Sequence, residues 1–422
     1  MQAHDLMSRF PINSTRLLER FLRYVKINTA ADADSSTYPS TSGQLELGRL
    51  LVRELKAMSA EDVHQDDNGL VWATVPATVT GPLPTILFNA HLDTSPEAPG
   101  ENVKPQVIEC YSGGDIPLSA GNMITSSECP ALLSMVGQCL VTTDGTTLLG
   151  GDDKAGVATI MELAHHLIEY PSIPHGPIRI LFTCDEEIGN GTGRVDMAKT
   201  DAVAAYTLDG GGSGELENEN FSADQLIVRA IGHNIHPSLG KGRMINASRG
   251  LAALIAQLPI ETCSPESTAG REGFLHPYHI SGGVGEAEVR ILLRDFDTAR
   301  LDDHARIVAN AAARVELQIP GLKFEIRRSR QYRNMSDALK RHPMVVQLAV
   351  DAYAKLGIDC QLGSIRGGTD GAMFSEKGLP TPNLSVGQHN IHSVLEFASL
   401  TEMTTAVAHA IELVQLWSNQ RS

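Results

Sequence analysis

Three apolar runs, "TILFNAHLD" (85–93), "IRILFTCDEE" (178–187) and "AAYTLDGGG" (204–212), each end in histidine or carboxylates. A helical repeat from about Ala155 to Tyr170 lies between the first two, so strands alternate with helices. That alternation buries the strands in a central, mostly parallel sheet with helices on its faces, an α/β architecture. Open sheets of this kind carry their sites beyond the carboxyl ends of the strands, which is where the polar endings fall. The run "GLVWATV" (69–75) adds a strand without such an ending. Ser14 to Ile27 and residues 42–58 repeat leucines at the spacing of one helical face. A last helix starts near Leu400, where Ser399 and Glu402 form a capping box.

From about Ala223 to Gln331 the rhythm becomes strand, helix, strand, strand, helix, strand. This βαββαβ order is the ferredoxin-like split unit. With 422 residues, two domains are expected: a catalytic domain over 1–222 and 332–422, and an inserted domain over 223–331. Residues 97–130, rich in Gly, Ser and Pro, read as a loop. Fifty acidic against 34 basic residues give a net charge of −16, which argues against nucleic acid or an anionic membrane as partner. Six cysteines without a CxxC pair, no apolar core in "MQAHDLMSRF" and no long apolar stretch predict a cytoplasmic chain that does not enter membranes.

The chemistry gathers at the strand ends. His91 and Asp93 lie two apart on a strand, so their side chains share a face and the carboxylate can orient the imidazole. Asp185, Glu186 and Glu187 allow a division of labour, one acid holding a cation while its neighbour acts as base toward water. Asp209 precedes three glycines, and "GQHNIHSVLEF" supplies His389 and His392. In "LLGGDDKAG" (148–156), Asp152 and Asp153 stand together at a helix start, a pairing that calls for positive charge nearby. Histidines and carboxylates without cysteine suit two divalent cations, zinc foremost, with cobalt or manganese also accommodated. Two ions roughly 3.5–4 Å apart need a bridging carboxylate.

The motifs "HLDTSPEAPGENVKPQV", "YSGGDIPL", "TTDGTTLLGGDDKAG", "FTCDEEIGNG", "TLDGGGSGELENENF", "NIHPSLGKGRMINA", "RDFD", "IRGGTDGAMF" and "LPTPNLSVG" follow one another almost from end to end. In this order they resemble the peptidase T family, tripeptide aminopeptidases within a larger group of dizinc peptidases that includes glutamate carboxypeptidase. The resemblance implies two zinc ions per subunit. It implies His91 and Asp209 on one, Glu187 and His392 on the other, Asp152 bridging, and a cis peptide bond after Asp152. Asp93 would support His91, and Glu186 would be the general base. His392 is chosen over His389 because "NxHxxxEF" matches the family pattern. His236, Arg294, Arg366 and Asn246 are implied in substrate binding, His236 toward the oxyanion and the arginines toward the peptide carboxylate. Short peptides are the implied substrates and a homodimer through the inserted domain the implied assembly. Leu275, where the family often has an aromatic residue, departs from the pattern. A carboxypeptidase or an N-acyl amino acid amidase would share all the metal ligands, and a non-catalytic metal-dependent scaffold is a more distant reading.

Overall fold

A computed structural model describes residues 10–420, so most of "MQAHDLMSRF" lies outside the described residues. The chain divides into two compact units. One comprises the residues up to Asn218, Asp337–Gly363 and the segment from Thr369, and the other comprises Glu219–Ser336 and Ser364–Gly368. The second unit is thus wider than the span 223–331 read from the sequence. It takes in Ser364–Gly368, a segment the sequence reading left in the catalytic domain, because Phe221 N donates to Ile365 O at 3.1 Å.

The first unit is built on an eight-stranded sheet. In spatial order its strands are Glu61–Gln65, Val71–Val75, Ile178–Thr183, Ile86–His91, Ala204–Gly210, Asn383–Ser385, Glu215–Asn220 and Gln361–Ile365. The strands from Ile178–Thr183 to Asn383–Ser385 run parallel, with His91 level with Thr183. The carboxyl ends of three of them therefore deliver His91, the Asp185–Glu187 turn and Asp209 to one edge. The edge strand Glu61–Gln65 is invisible to an apolar search because "EDVHQ" is polar and largely exposed. Helix Gly151–Glu169 packs on the Ile86–His91 and Ala204–Gly210 strands and is itself flanked by helices Ser14–Tyr24 and Leu400–Ser418. A Cβ on Gly156 would lie 1.9 Å from Leu208 O, so only glycine lets the helix approach the strand that carries Asp209.

The stretch expected as a loop, 97–130, is instead folded. It holds short strands at Gln106–Ile108, Ile116–Pro117 and Met123–Ile124. Tyr111, Ile116, Leu118, Ile124, Cys129, Leu132, Met135 and Leu140 form a core of their own that also takes Phe397. Strands of two or three residues are too short to leave a periodic pattern. The capping box at Ser399 is half made: Ser399 Oγ accepts from Glu402 N, while the Glu402 carboxylate turns to His389.

The second unit is the expected βαββαβ fold. Its antiparallel sheet runs Phe274–Gly282, Glu286–Asp295, Ser222–Ile231, Lys323–Tyr332, backed by helices Ala247–Ile255 and Arg300–Gln318. Val228, Leu251, Val289, Ile291, Leu293 and Val308 lie at the centre of its core. At its rim His304 Nε2 meets Asp295 Oδ2 at 3.2 Å. Burial opposes protonation of His304, but hydrogen bonds to Asp295 and Cys263 outweigh it and push the imidazole up to about 9. A raised histidine adds stability that is complete below its unfolded value near 6.5 and is lost as the pH rises through 9. His304→Gln is therefore expected to cost roughly 1–3 kcal/mol at pH 6, progressively less as the pH rises from about 6.5 to 9, and little beyond, measured by chemical denaturation below and above that window.

Candidate metal centre

Each residue of the centre arrives on a differently built piece of chain. His91 closes its strand, and its main-chain N–H donates to Asp153 Oδ2 at 3.1 Å. Its Nδ1 lies 3.1 Å from the Asp93 carbonyl and 3.4 Å from Asp93 Oδ1. That leaves Nε2 facing Asp152 Oδ1 at 3.0 Å and Asp209 Oδ1 at 3.7 Å. The peptide bond between Asp152 and Asp153 is cis, as the resemblance implies. Neither residue has helical backbone angles, so the helix proper begins beyond them. Asp153 turns away from Asp152 and accepts the N–H groups of His91 and Gly156. Lys154, fully buried, donates to Ile27 O at 2.8 Å rather than to any carboxylate of the centre.

The three acids after the Ile178–Thr183 strand point to three tasks. Asp185, left-handed at φ 60°, accepts from Ser40 N at 2.7 Å and Gln44 Nε2 at 2.7 Å, anchoring the start of helix Ser42–Ala57. Glu186 N and Glu187 N each donate to the Asp93 carboxylate at 3.0 Å. Glu187 Oε2 lies 2.9 Å from His392 Nε2, which is 3.3 Å from Asp152 Oδ2. His392 Nδ1 is held by Glu97 Oε2 at 3.2 Å. His392 and Asn390 also have positive φ, and non-glycine residues held there cost of order 1–3 kcal/mol and collect at functional sites. His389 is engaged elsewhere, 2.6 Å from Glu402 Oε2 and stacked on Phe397.

Two triads thus share one residue: His91, Asp152 and Asp209, then Asp152, Glu187 and His392, the candidate ligand atoms of each lying within 4.8 Å of one another. Burial pushes the Glu187 carboxyl up to about 8 and the Asp209 carboxyl up to about 6, with Asp152 adding like charge in both cases. Burial alone would lower His392, but its hydrogen bonds to Asp152 and Glu187 push it up to about 11. Carboxylates drawn toward protonation beside histidines held charged show a pocket short of positive charge. Glu187 Oε1 is buried with no hydrogen-bond partner, which is costly for a carboxylate oxygen unless a cation meets it. The donor set of imidazole and carboxylate fits a pair of divalent cations.

The other sequence candidates belong to the second unit. Arg366 donates to Gly270 O at 2.8 Å and lies over the rings of Phe221 and Phe274. Arg294 donates to Arg366 O at 3.3 Å and lies over Tyr332, with a buried Nε that has no partner. The adjacent Asp295 turns to His304 and Arg300 rather than to Arg294. Asn246 caps its helix by accepting from Arg249 N, and His236 bonds Ser238. Leu275 is buried in the core of this unit. Sequence reasoning gave no role to Gln388, which donates to Asp209 Oδ1 at 3.0 Å, or to Glu396, which it met only as the acid of the "NxHxxxEF" pattern.

The model of peptidase family M20/M25/M40 matches residues 147–416, and the chain belongs to that family. Within it the chain is of the peptidase T kind: it is 44% identical over 408 residues to peptidase T of Geobacillus kaustophilus, covering 96% of this chain and 99% of the relative. The aminopeptidase PepT structure from Bacillus cereus has the same fold at a TM-score of 0.75 and 23% identity, covering 97% of this chain and all of that one. A dinuclear metal binding peptidase of the M20 family from Bacillus subtilis follows at 0.63 and 16%, covering 95% and 97%. The chain is a metal-binding peptidase.

Because the cluster repels itself without cations, Glu187→Gln is expected to stabilise the chelator-treated protein by roughly 0.5–2 kcal/mol. The same change should remove most of the rise in thermal midpoint that added zinc gives the wild type, as scanning calorimetry with and without zinc would read.

Proposed function

We propose that the chain is a zinc-dependent aminopeptidase that releases the N-terminal residue of tripeptides. One observation carries the metal assignment: the two carboxylate oxygens of Asp152 are divided between His91 and His392, the arrangement a bridging ligand needs. In this reading His91 and Asp209 hold one zinc, Glu187 and His392 the other, and Asp152 both. The peptidase T identity of the relatives supports the tripeptide substrate, and Arg294 and Arg366 are the candidates for its carboxylate. Asn246 and His236 remain substrate-binding candidates, His236 toward the oxyanion. The absence of disulfides among the six cysteines supports a cytoplasmic site of action. The open edge strand Phe274–Gly282, with Tyr278 and Ile280 exposed, supports a homodimer through the second unit.

When bound, a pair of dications polarises the scissile carbonyl and brings the pKa of water to about 7. The protein's own residues move the proton. Glu186 is fixed by its N–H bond to Asp93. Burial pushes its carboxyl well above the usual range; Asp370, Asp209 and Glu187 add like charge, while His91 opposes the rise. In this reading Glu186 takes a proton from the attacking water and returns it to the leaving amine. Asp93 keeps His91 in one orientation through Nδ1 and holds the turn that carries Glu186 and Glu187.

Glu186→Gln is expected to lower kcat by about 10²–10⁴-fold with zinc content, read by atomic emission, near wild type; a fully active variant would sink the assignment. A tripeptide and its N-acetylated form, assayed side by side, separate an aminopeptidase from a carboxypeptidase or amidase. The free amine is expected to be the better substrate.

A further inference from the structure

Four residues beyond His392, Glu396 is buried at 1% exposure. Its carboxylate accepts three main-chain N–H groups: Oε2 from Leu149 at 2.7 Å and Gly150 at 2.8 Å, and Oε1 from Asp152 at 3.0 Å. These belong to the turn that leads into Asp152, where Gly150 is left-handed at φ 80° and the helix has not begun. A Cβ on Gly151 would come within 3.1 Å of Glu396 Oε1, so the acid is seated directly against the turn.

On its other side Glu396 is tied to His392. The chain between them is drawn into a compact turn by Leu395 N to Ser393 Oγ at 3.0 Å and Glu396 N to Ser393 O at 3.2 Å. Immediately after Glu396, strand Phe397–Ser399 pairs with Leu140–Thr142. One short rigid piece of chain therefore presents the His392 imidazole and grips the backbone of Asp152.

Building on the assignment of Asp152 and His392 as ligands of one ion, we propose that Glu396 is a positioning residue that fixes their separation and so sets the affinity of the second cation site. The carboxylate is specifically required. It offers only acceptors to three donors, whereas a glutamine amide in either orientation would turn N–H toward at least one N–H.

The test is zinc titrated calorimetrically into the chelator-stripped full-length chain, with the visible spectrum of the cobalt-substituted protein as a second readout. Glu396→Gln is expected to bind one zinc equivalent about 10–100-fold more weakly than wild type and to alter the cobalt spectrum. Glu396→Asp keeps the charge but shortens the reach, and is expected to fall between the two; it also serves should the glutamine variant not fold. Glu162→Gln, at a buried acid paired with Arg16 and Arg20 in the same unit, is expected to lower the thermal midpoint without moving zinc affinity. Wild-type zinc affinities and cobalt spectrum in a folded Glu396 variant overturn the proposal, as does an equal loss in Glu162→Gln. An Asp152→Ala variant that still binds two zinc ions tightly would instead overturn the ligand assignment beneath it.

Discussion

The centre crowds Asp93, Asp152, Glu186, Glu187 and Asp209 around two histidines in a largely buried pocket, and that surplus of negative charge governs the architecture around it. A buried carboxylate is tolerated only when paired, hydrogen-bonded or neutralised. The nearest lysine in sequence, Lys154, spends its ammonium on a main-chain carbonyl instead. No arginine makes an ion pair with any of these acids among the described residues. The positive charge is left to come from outside, and the start of helix Gly151–Glu169 contributes only the partial charge of a helix N-terminus.

A second layer of acids solves a different problem, how to hold irregular loops in register. Asp153 ties the end of the His91 strand to the start of the long helix. Asp93 ties the His91 segment to the Glu186–Glu187 turn, and Asp185 ties that turn to Ser40. Glu396 ties the His392 loop to the turn before Asp152. Each loop is thus clamped by a carboxylate that belongs to another, so the candidate ligands cannot shift independently. Hydrogen bonds to ionised acceptors are about twice as strong as neutral ones, which suits them to segments without regular secondary structure.

Much of this was legible in the sequence. The α/β sheet and the βαββαβ unit follow from periodicity, and His91, Glu187 and Asp209 stand at the ends of apolar runs, where an α/β sheet keeps its sites. The pairing of His392 rather than His389 with Asp152 came only through family resemblance, because nothing local distinguishes two histidines three residues apart. The clamps were not legible. A carboxylate that accepts main-chain N–H groups has no partner side chain to betray it, and Glu396 showed only as the acid of the "NxHxxxEF" pattern that selects His392. The Glu61–Gln65 strand and the folded 97–130 segment failed for opposite reasons: one is polar because it lies at the sheet edge, and the other is built from strands shorter than any repeat.

Phe397 belongs to the core formed with residues 111–140, while its neighbour Glu396 grips the turn before Asp152. That small core of nine buried residues has no helix of the main sheet within it, and regions with few buried apolar contacts open at a lower free energy than the central core. When it opens, Phe397 loses its seat and the His392 loop its footing. The footing of the His392 loop thus rests on packing that lies outside the central sheet.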